Sequence, residues 1–112
     1  MSALQFQDKH YVVTGALGSL GYTLSRRLAD AGAKVTLIDL AQSIQDREPP
    51  EGSLLLGGVD LTNESAVAEA FKTANAKLGA IDGLINIAGG FVWETIIGGS
   101  LKNWDRMYQM NL

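Results

Sequence analysis

The chain has 112 residues, 46% of them apolar and 19% charged, with a net charge of −3. This is the composition of one folded domain, not of a disordered chain, and it argues against a nucleic-acid partner held through phosphate contacts. The absence of cysteine removes disulfides, zinc–thiolate sites and thiol nucleophiles together, and no metal centre is expected. The opening MSALQFQDKH lacks a basic-then-apolar leader, and no apolar run nears the roughly 18 residues of a membrane span. A cytoplasmic protein with no membrane partner is expected.

In chain order, HYVVT (10–14) predicts a buried strand, with His10 at its leading end and given no functional role. A helix is predicted over LGYTLSRRLADAG (20–32), with Leu20, Leu24, Leu28 and Ala31 on its apolar stripe and Gly32 closing it. Tyr22 and Arg26, four residues apart, read as a surface pair. KVTLIDL (34–40) predicts the second strand. IQDREPPEG (44–52), which holds both prolines, reads as a polar surface connection. SLLLGG (53–58) predicts the third strand. Thr62 or Asn63 caps a helix that carries Glu64 in its first turn, buries Val67, Ala70, Phe71, Ala74 and Leu78, and ends at Gly79. GLINIAG (83–89) predicts the fourth strand, and Ser100 caps a last helix over LKNWDRMYQMNL. Trp93 and Trp104 are expected in the core or at an interface.

Short, continuously apolar strands alternating with amphipathic helices imply a doubly wound α/β fold built on a parallel sheet. Ligands of such sheets bind at the carboxyl ends of the strands. TGALGSLG stands there, with glycines at 15, 18 and 21 between a strand and a helix. A backbone that bare approaches a pyrophosphate closely, beside the positive end of the helix. The same glycines also suit close packing of helix on sheet. Asp39, 18 residues beyond Gly21, is placed to bond the ribose hydroxyls of an adenosine, or to cap the segment after it. Its carboxylate would repel a 2′-phosphate, Leu40 follows it, and Arg47 lies too far along the chain to count on. NAD is therefore preferred over NADP. No Lys-Ser or Lys-Thr pair follows the glycines, which excludes a Walker-type loop.

With these motifs in hand the whole chain resembles the short-chain dehydrogenase/reductase family. TGALGSLG is similar to the family's Thr-Gly-x-x-x-Gly-x-Gly loop at Thr14, Gly15 and Gly21; Ser19 stands at the usual middle glycine and Gly18 one position early. VDLTN resembles the motif whose Asp60 would approach the adenine amino group and whose Leu61 would border the base. INIAGG resembles Asn-Asn-Ala-Gly at Asn86, Ala88 and Gly89, with Ile87 in place of the second Asn. Asn111 matches the helix asparagine that supports the active-site lysine and water.

The resemblance implies strand order 3-2-1-4 and an oxidoreductase moving hydride between NAD and a small alcohol or ketone. Gly15, Gly18, Ser19, Leu20 and Gly21 would lie on the phosphates, and Asp39 and Leu40 on the adenosine. A valine at Gly15 is expected to fill the pyrophosphate's space and leave the fold intact. No tyrosine here is followed four residues on by a lysine, so the family's Tyr-x-x-x-Lys is absent. Residues 1–112 are expected to be the N-terminal part of a longer dinucleotide-binding domain, inactive alone and homo-oligomeric when whole. A non-catalytic dinucleotide-binding module and a nucleotide-sugar epimerase-like enzyme are the alternatives.

Overall fold

The computed structural model of the chain describes residues 5–43 and 46–112. Five residues, His10–Thr14, form the central strand β1, and Val12 and Val13 face opposite sides of the sheet it anchors. Lys34–Ile38 (β2), Leu54–Leu56 (β3) and Gly83–Asn86 (β4) complete a four-stranded sheet, every pair parallel, in the order β3-β2-β1-β4. The strand order implied by the family resemblance is thus the observed one. Strands two to four are shorter than the apolar runs suggest and end at Ile38, Leu56 and Asn86.

Helix α1 (Ser19–Asp30) covers one face, where Leu28 packs with Val13, Val35 and Leu37. It closes at Gly32, whose backbone N–H donates to Ala29 while that of Ala33 donates to Leu28; this is the double bond pattern of a glycine-terminated helix. The buried positions of α1 are Gly21, Ser25 and Leu28, whereas Leu20 is 68% exposed. Leu20 therefore leaves the expected stripe, while Leu24 packs against the core beside Leu28. Small residues let the helix approach the sheet, and Ser25 satisfies its hydroxyl by donating to the Gly21 carbonyl. Helix α2 (Glu64–Leu78) covers the other face through Ala70 and Ala74, with Asn63 rather than Thr62 accepting from the Ala66 N–H at its start.

The polar connection after β2 does not simply run over the surface. Tyr22 donates its hydroxyl to the Glu48 carbonyl at 2.7 Å and lies under the Arg47 guanidinium. The Tyr22–Arg26 pair expected from spacing gives way to these contacts, because the returning segment occupies the face of the tyrosine ring.

His10 is part of β1 and is buried, at the end of the sheet opposite the glycine loop. Its Nδ1 faces the Gly79 carbonyl at 2.9 Å and its Nε2 faces the Thr36 hydroxyl at 2.8 Å. A carbonyl only accepts, so Nδ1 carries the hydrogen and, in the neutral ring, Nε2 accepts from Thr36. The ring thereby ties β1, β2 and the end of α2 together. His10→Ala is expected to leave both partners unsatisfied and to cost about 2–3 kcal/mol, read as a lower urea midpoint by circular dichroism. An unchanged midpoint would show that the ring is dispensable.

The far edge of β4 is open, with Leu84 half exposed. Helix α3 (Leu101–Asn111) has no buried residue, although Ser100 caps it by accepting from the Asn103 N–H. Trp93 and Trp104 are 77% and 60% exposed, which takes them out of the core. Among the described residues no helix is long and apolar enough to cross a membrane.

Candidate functional site

Where β1 ends, the chain must turn without colliding with the turn that follows β4. Gly15 does this at φ +65°, and a Cβ on it would stand 2.7 Å from the Ala88 amide nitrogen. Gly21 lies in the first turn of α1, where a Cβ would stand 2.9 Å from the Ala16 Cα and nearer still to the Gly15 carbonyl oxygen. Both are bare because backbone presses on backbone. The expectation that a valine at Gly15 would spare the fold is corrected: its side chain would meet the β4 turn, in a conformation that β-branched residues avoid.

Gly18 differs. Its backbone is extended, and the nearest atom to an added Cβ is the Gly15 carbonyl oxygen at an ordinary 3.4 Å. The fold does not require a glycine there. Gly18 is also the N-cap of α1 and supplies no side-chain bond, so the amides of Ser19, Leu20 and Gly21 keep the free N–H groups that every helix start exposes.

Those donors border a cleft of about 710 Å³ at the carboxyl end of the sheet. Gly15, Gly18, Leu20 and Gly21 form its phosphate-loop side. Asp39, Leu40, Asp60 and Leu61 line it on the β2–β3 side, and Ala88 and Gly89 at the β4 turn. Three residues predicted from sequence lie outside it. The Ser19 hydroxyl accepts from Arg47, and Asn86 and Asn111 line an adjoining cavity of about 550 Å³.

The Asp39 carboxylate is half-buried and braces the loop, with Oδ2 accepting from the Leu17 N–H and Oδ1 from the Ala41 N–H, each at 2.9 Å. Asp60 accepts from both the hydroxyl and the amide of Thr62, at 2.7 and 2.9 Å. The Thr62 hydroxyl, and then its amide, hold the exposed Asp60 carboxyl below the ordinary aspartate value, so Asp60 is an anion throughout the neutral range.

Thr14 stitches the two glycine turns together. Its hydroxyl donates to Asn86 Oδ1 at 3.1 Å and accepts from the Ile87 and Ala88 amides at 3.2 and 3.3 Å. Asn111 clasps Gly90, donating to its carbonyl at 3.0 Å and accepting from its amide at 3.3 Å, with a further bond to the Met107 carbonyl. This fixes the end of α3 beside the cleft and brings Gln109 and Met110 into the wall.

Sequence reasoning missed these two, together with Leu17, Val59, Thr62 and Ile87. The last four adjoin predicted positions and were within reach; Gln109 and Met110 arrive by tertiary placement alone. Arg47 was set aside as too distant, yet its Nη1 donates to the Leu17 carbonyl at 2.6 Å. Among the described residues no three His, Cys, Asp or Glu side chains form a group able to hold a metal ion.

Fold and cleft together define a Rossmann-type α/β protein. A model of the short chain dehydrogenase family matches residues 9–112, and the chain belongs to that family. It is 32% identical over 97% of its length to an uncharacterised oxidoreductase of Staphylococcus saprophyticus. Over 93% of its length it is 32% identical to a meso-2,3-butanediol dehydrogenase of Serratia marcescens. It spans 49% and 43% of these two relatives. The ligand-free aldohexose dehydrogenase of Thermoplasma acidophilum matches 99% of this chain over 41% of its own, with a TM-score of 0.80 and 28% identity.

Proposed function

We propose that these residues form the cofactor-binding part of an oxidoreductase that moves hydride between a nicotinamide dinucleotide and a small alcohol or ketone, with NAD preferred over NADP. The observation that carries the reading is Gly18, a glycine that packing does not demand, fronting a cleft between free helix-start amides and a carboxylate. A pyrophosphate fits the first feature and an adenosine ribose the second. The bound cofactor would supply the hydride acceptor or donor; the chain's own part is to bind and orient it.

In this reading the amides of Ser19, Leu20 and Gly21 hold the phosphates and Asp39 the ribose. Asp60 accepts from an adenine amino group, and Leu40 and Leu61 border the base. Asn86, Ala88 and Gly89 shape the ribose side, and Asn111 positions the end of α3 there. The proton donor or acceptor at the substrate oxygen lies outside these residues, since Tyr11, Tyr22 and Tyr108 are followed four positions on by Gly15, Arg26 and Leu112. The exposed Trp93, Trp104 and Tyr108 support assembly of the whole protein into a homo-oligomer.

Fluorescence titration with NADH and NADPH tests the cofactor assignment. NADH is expected to bind more tightly. Asp39→Ala is expected to narrow the ratio by the equivalent of about 1–3 kcal/mol, because it removes both a hydroxyl acceptor and a charge opposed to phosphate. The ratio is the readout, since loss of the Leu17 brace weakens both cofactors alike. Equal affinities in the unmodified chain would defeat the preference.

A further inference from the structure

Resting on this nucleotide reading, we infer that Met107 and Met110 are positioning residues of the cleft, whose sulfur atoms seat the turn after β4 on α3 and release it when peroxide oxidises them. Helix α3 buries no residue, so its hold on that turn is carried by neighbouring side chains at 107, 110 and 111. Asn111 clasps Gly90 through both atoms of its amide. The Val92 N–H donates to the Met107 sulfur at 3.2 Å. A Cβ added to Gly90 would stand 2.8 Å from the Met110 sulfur, so the thioether fills the place a side chain at 90 would take. Gly90 directly follows Ile87, Ala88 and Gly89, which line the cleft. A shift of 90–92 is therefore a shift of the cleft wall.

The chemistry of sulfur makes this seat breakable. Met107 lines a separate cavity of about 200 Å³, and Met110 lines both the cleft and the cavity beside it, so a small oxidant reaches each through open space. Hydrogen peroxide transfers one oxygen to a thioether. An S–O bond forms, the O–O bond breaks, sulfur gives up two electrons, and the second peroxide oxygen leaves as water. The product is a polar sulfoxide in place of an apolar, weakly accepting sulfur. At 3.2 Å there is no room for an oxygen between the Met107 sulfur and the Val92 amide, and the Met110 sulfur is pressed on Gly90 in the same way. Each sulfoxide turns its oxygen to water and lets the turn go. The adenosine end stays as it was, because Asp39 and Asp60 are fixed by Leu17, Ala41 and Thr62, far along the chain from α3. The loss falls on the part of the cofactor that reaches the turn after β4.

Calorimetric titration of the full chain with NAD and with 5′-AMP, before and after hydrogen peroxide, separates the two ends of the cleft, while tandem mass spectrometry locates the added oxygens. Oxidation of Met107 and Met110 is expected to weaken NAD at least about fivefold and 5′-AMP less than about twofold. Methionine sulfoxide reductases are expected to restore NAD binding. Met107→Leu fills a similar space without the acceptor and is expected to weaken NAD about threefold before any peroxide is added. In Met107→Leu/Met110→Leu, where Met1 is the one methionine left, peroxide is expected to change neither affinity further. Unchanged NAD binding by the oxidised chain would overturn the inference. So would equal weakening of both ligands, loss of the fold by circular dichroism on oxidation, or the same peroxide effect in the double variant. Failure of both ligands to bind the unmodified chain would instead overturn the nucleotide reading, and this inference with it.

Discussion

Gly21→Ala is expected to cost the domain about 3 kcal/mol or more, a large part of the 5–15 kcal/mol that usually holds a domain together. Alanine is the best helix former, so an exposed glycine in a helix gains from this change. Here the added methyl would stand 2.9 Å from the Ala16 Cα and closer to the Gly15 carbonyl. Neither is the free end of a side chain that can swing aside. Gly15 is itself pressed on Ala88, so a shift of the loop passes to the turn after β4. Urea unfolding followed by circular dichroism should show a much lower midpoint or no cooperative transition. A midpoint at or above that of the unmodified chain would mean that α1 does not seat on the loop as described.

Gly18→Val is expected to do the reverse, leaving the fold nearly unchanged and lowering NADH affinity tenfold or more. Its φ of −74° and ψ of 171° suit valine. Only the Gly15 carbonyl oxygen lies within 4 Å of the added Cβ. Exchanging a glycine N-cap for valine costs on the order of 1 kcal/mol. Two methyl groups at the rim of the cleft would hold an anion away from the amides of α1. Thermal melting and NADH titration of the same sample separate the effects. Normal binding by a folded valine variant would leave Gly18 with no part in holding the cofactor and remove the observation that carries the nucleotide reading.

Architecture was legible in the sequence because the central strands are buried on both faces and therefore continuously apolar. Gly32 and Gly79 marked helix ends, and Asn63 a start, for reasons local to those residues. The seating of α1 was not legible. Hydrophobicity favours Leu20, which the structure leaves exposed, while close approach to the sheet selects Gly21 and Ser25, which carry little apolar surface. The glycine loop mixed two causes under one pattern, and only the space around each Cβ separates Gly18 from Gly15 and Gly21. Gln109 and Met110 reach the cleft, and Arg47 the glycine loop, by the path of the folded chain, and no spacing rule announces them.

The central claim is that the cleft at the carboxyl end of the sheet holds a nicotinamide dinucleotide. An amide ¹H–¹⁵N NMR titration of the full chain with NADH tests it most directly. Shifts are predicted to concentrate on the amides from Gly15 to Gly21, at Asp39 and Leu40, from Asp60 to Thr62, and from Ile87 to Gly89, with His10 and Gly79 at the far end unmoved. No saturable shifts, or shifts gathered around Trp93 and Trp104 instead, would contradict it.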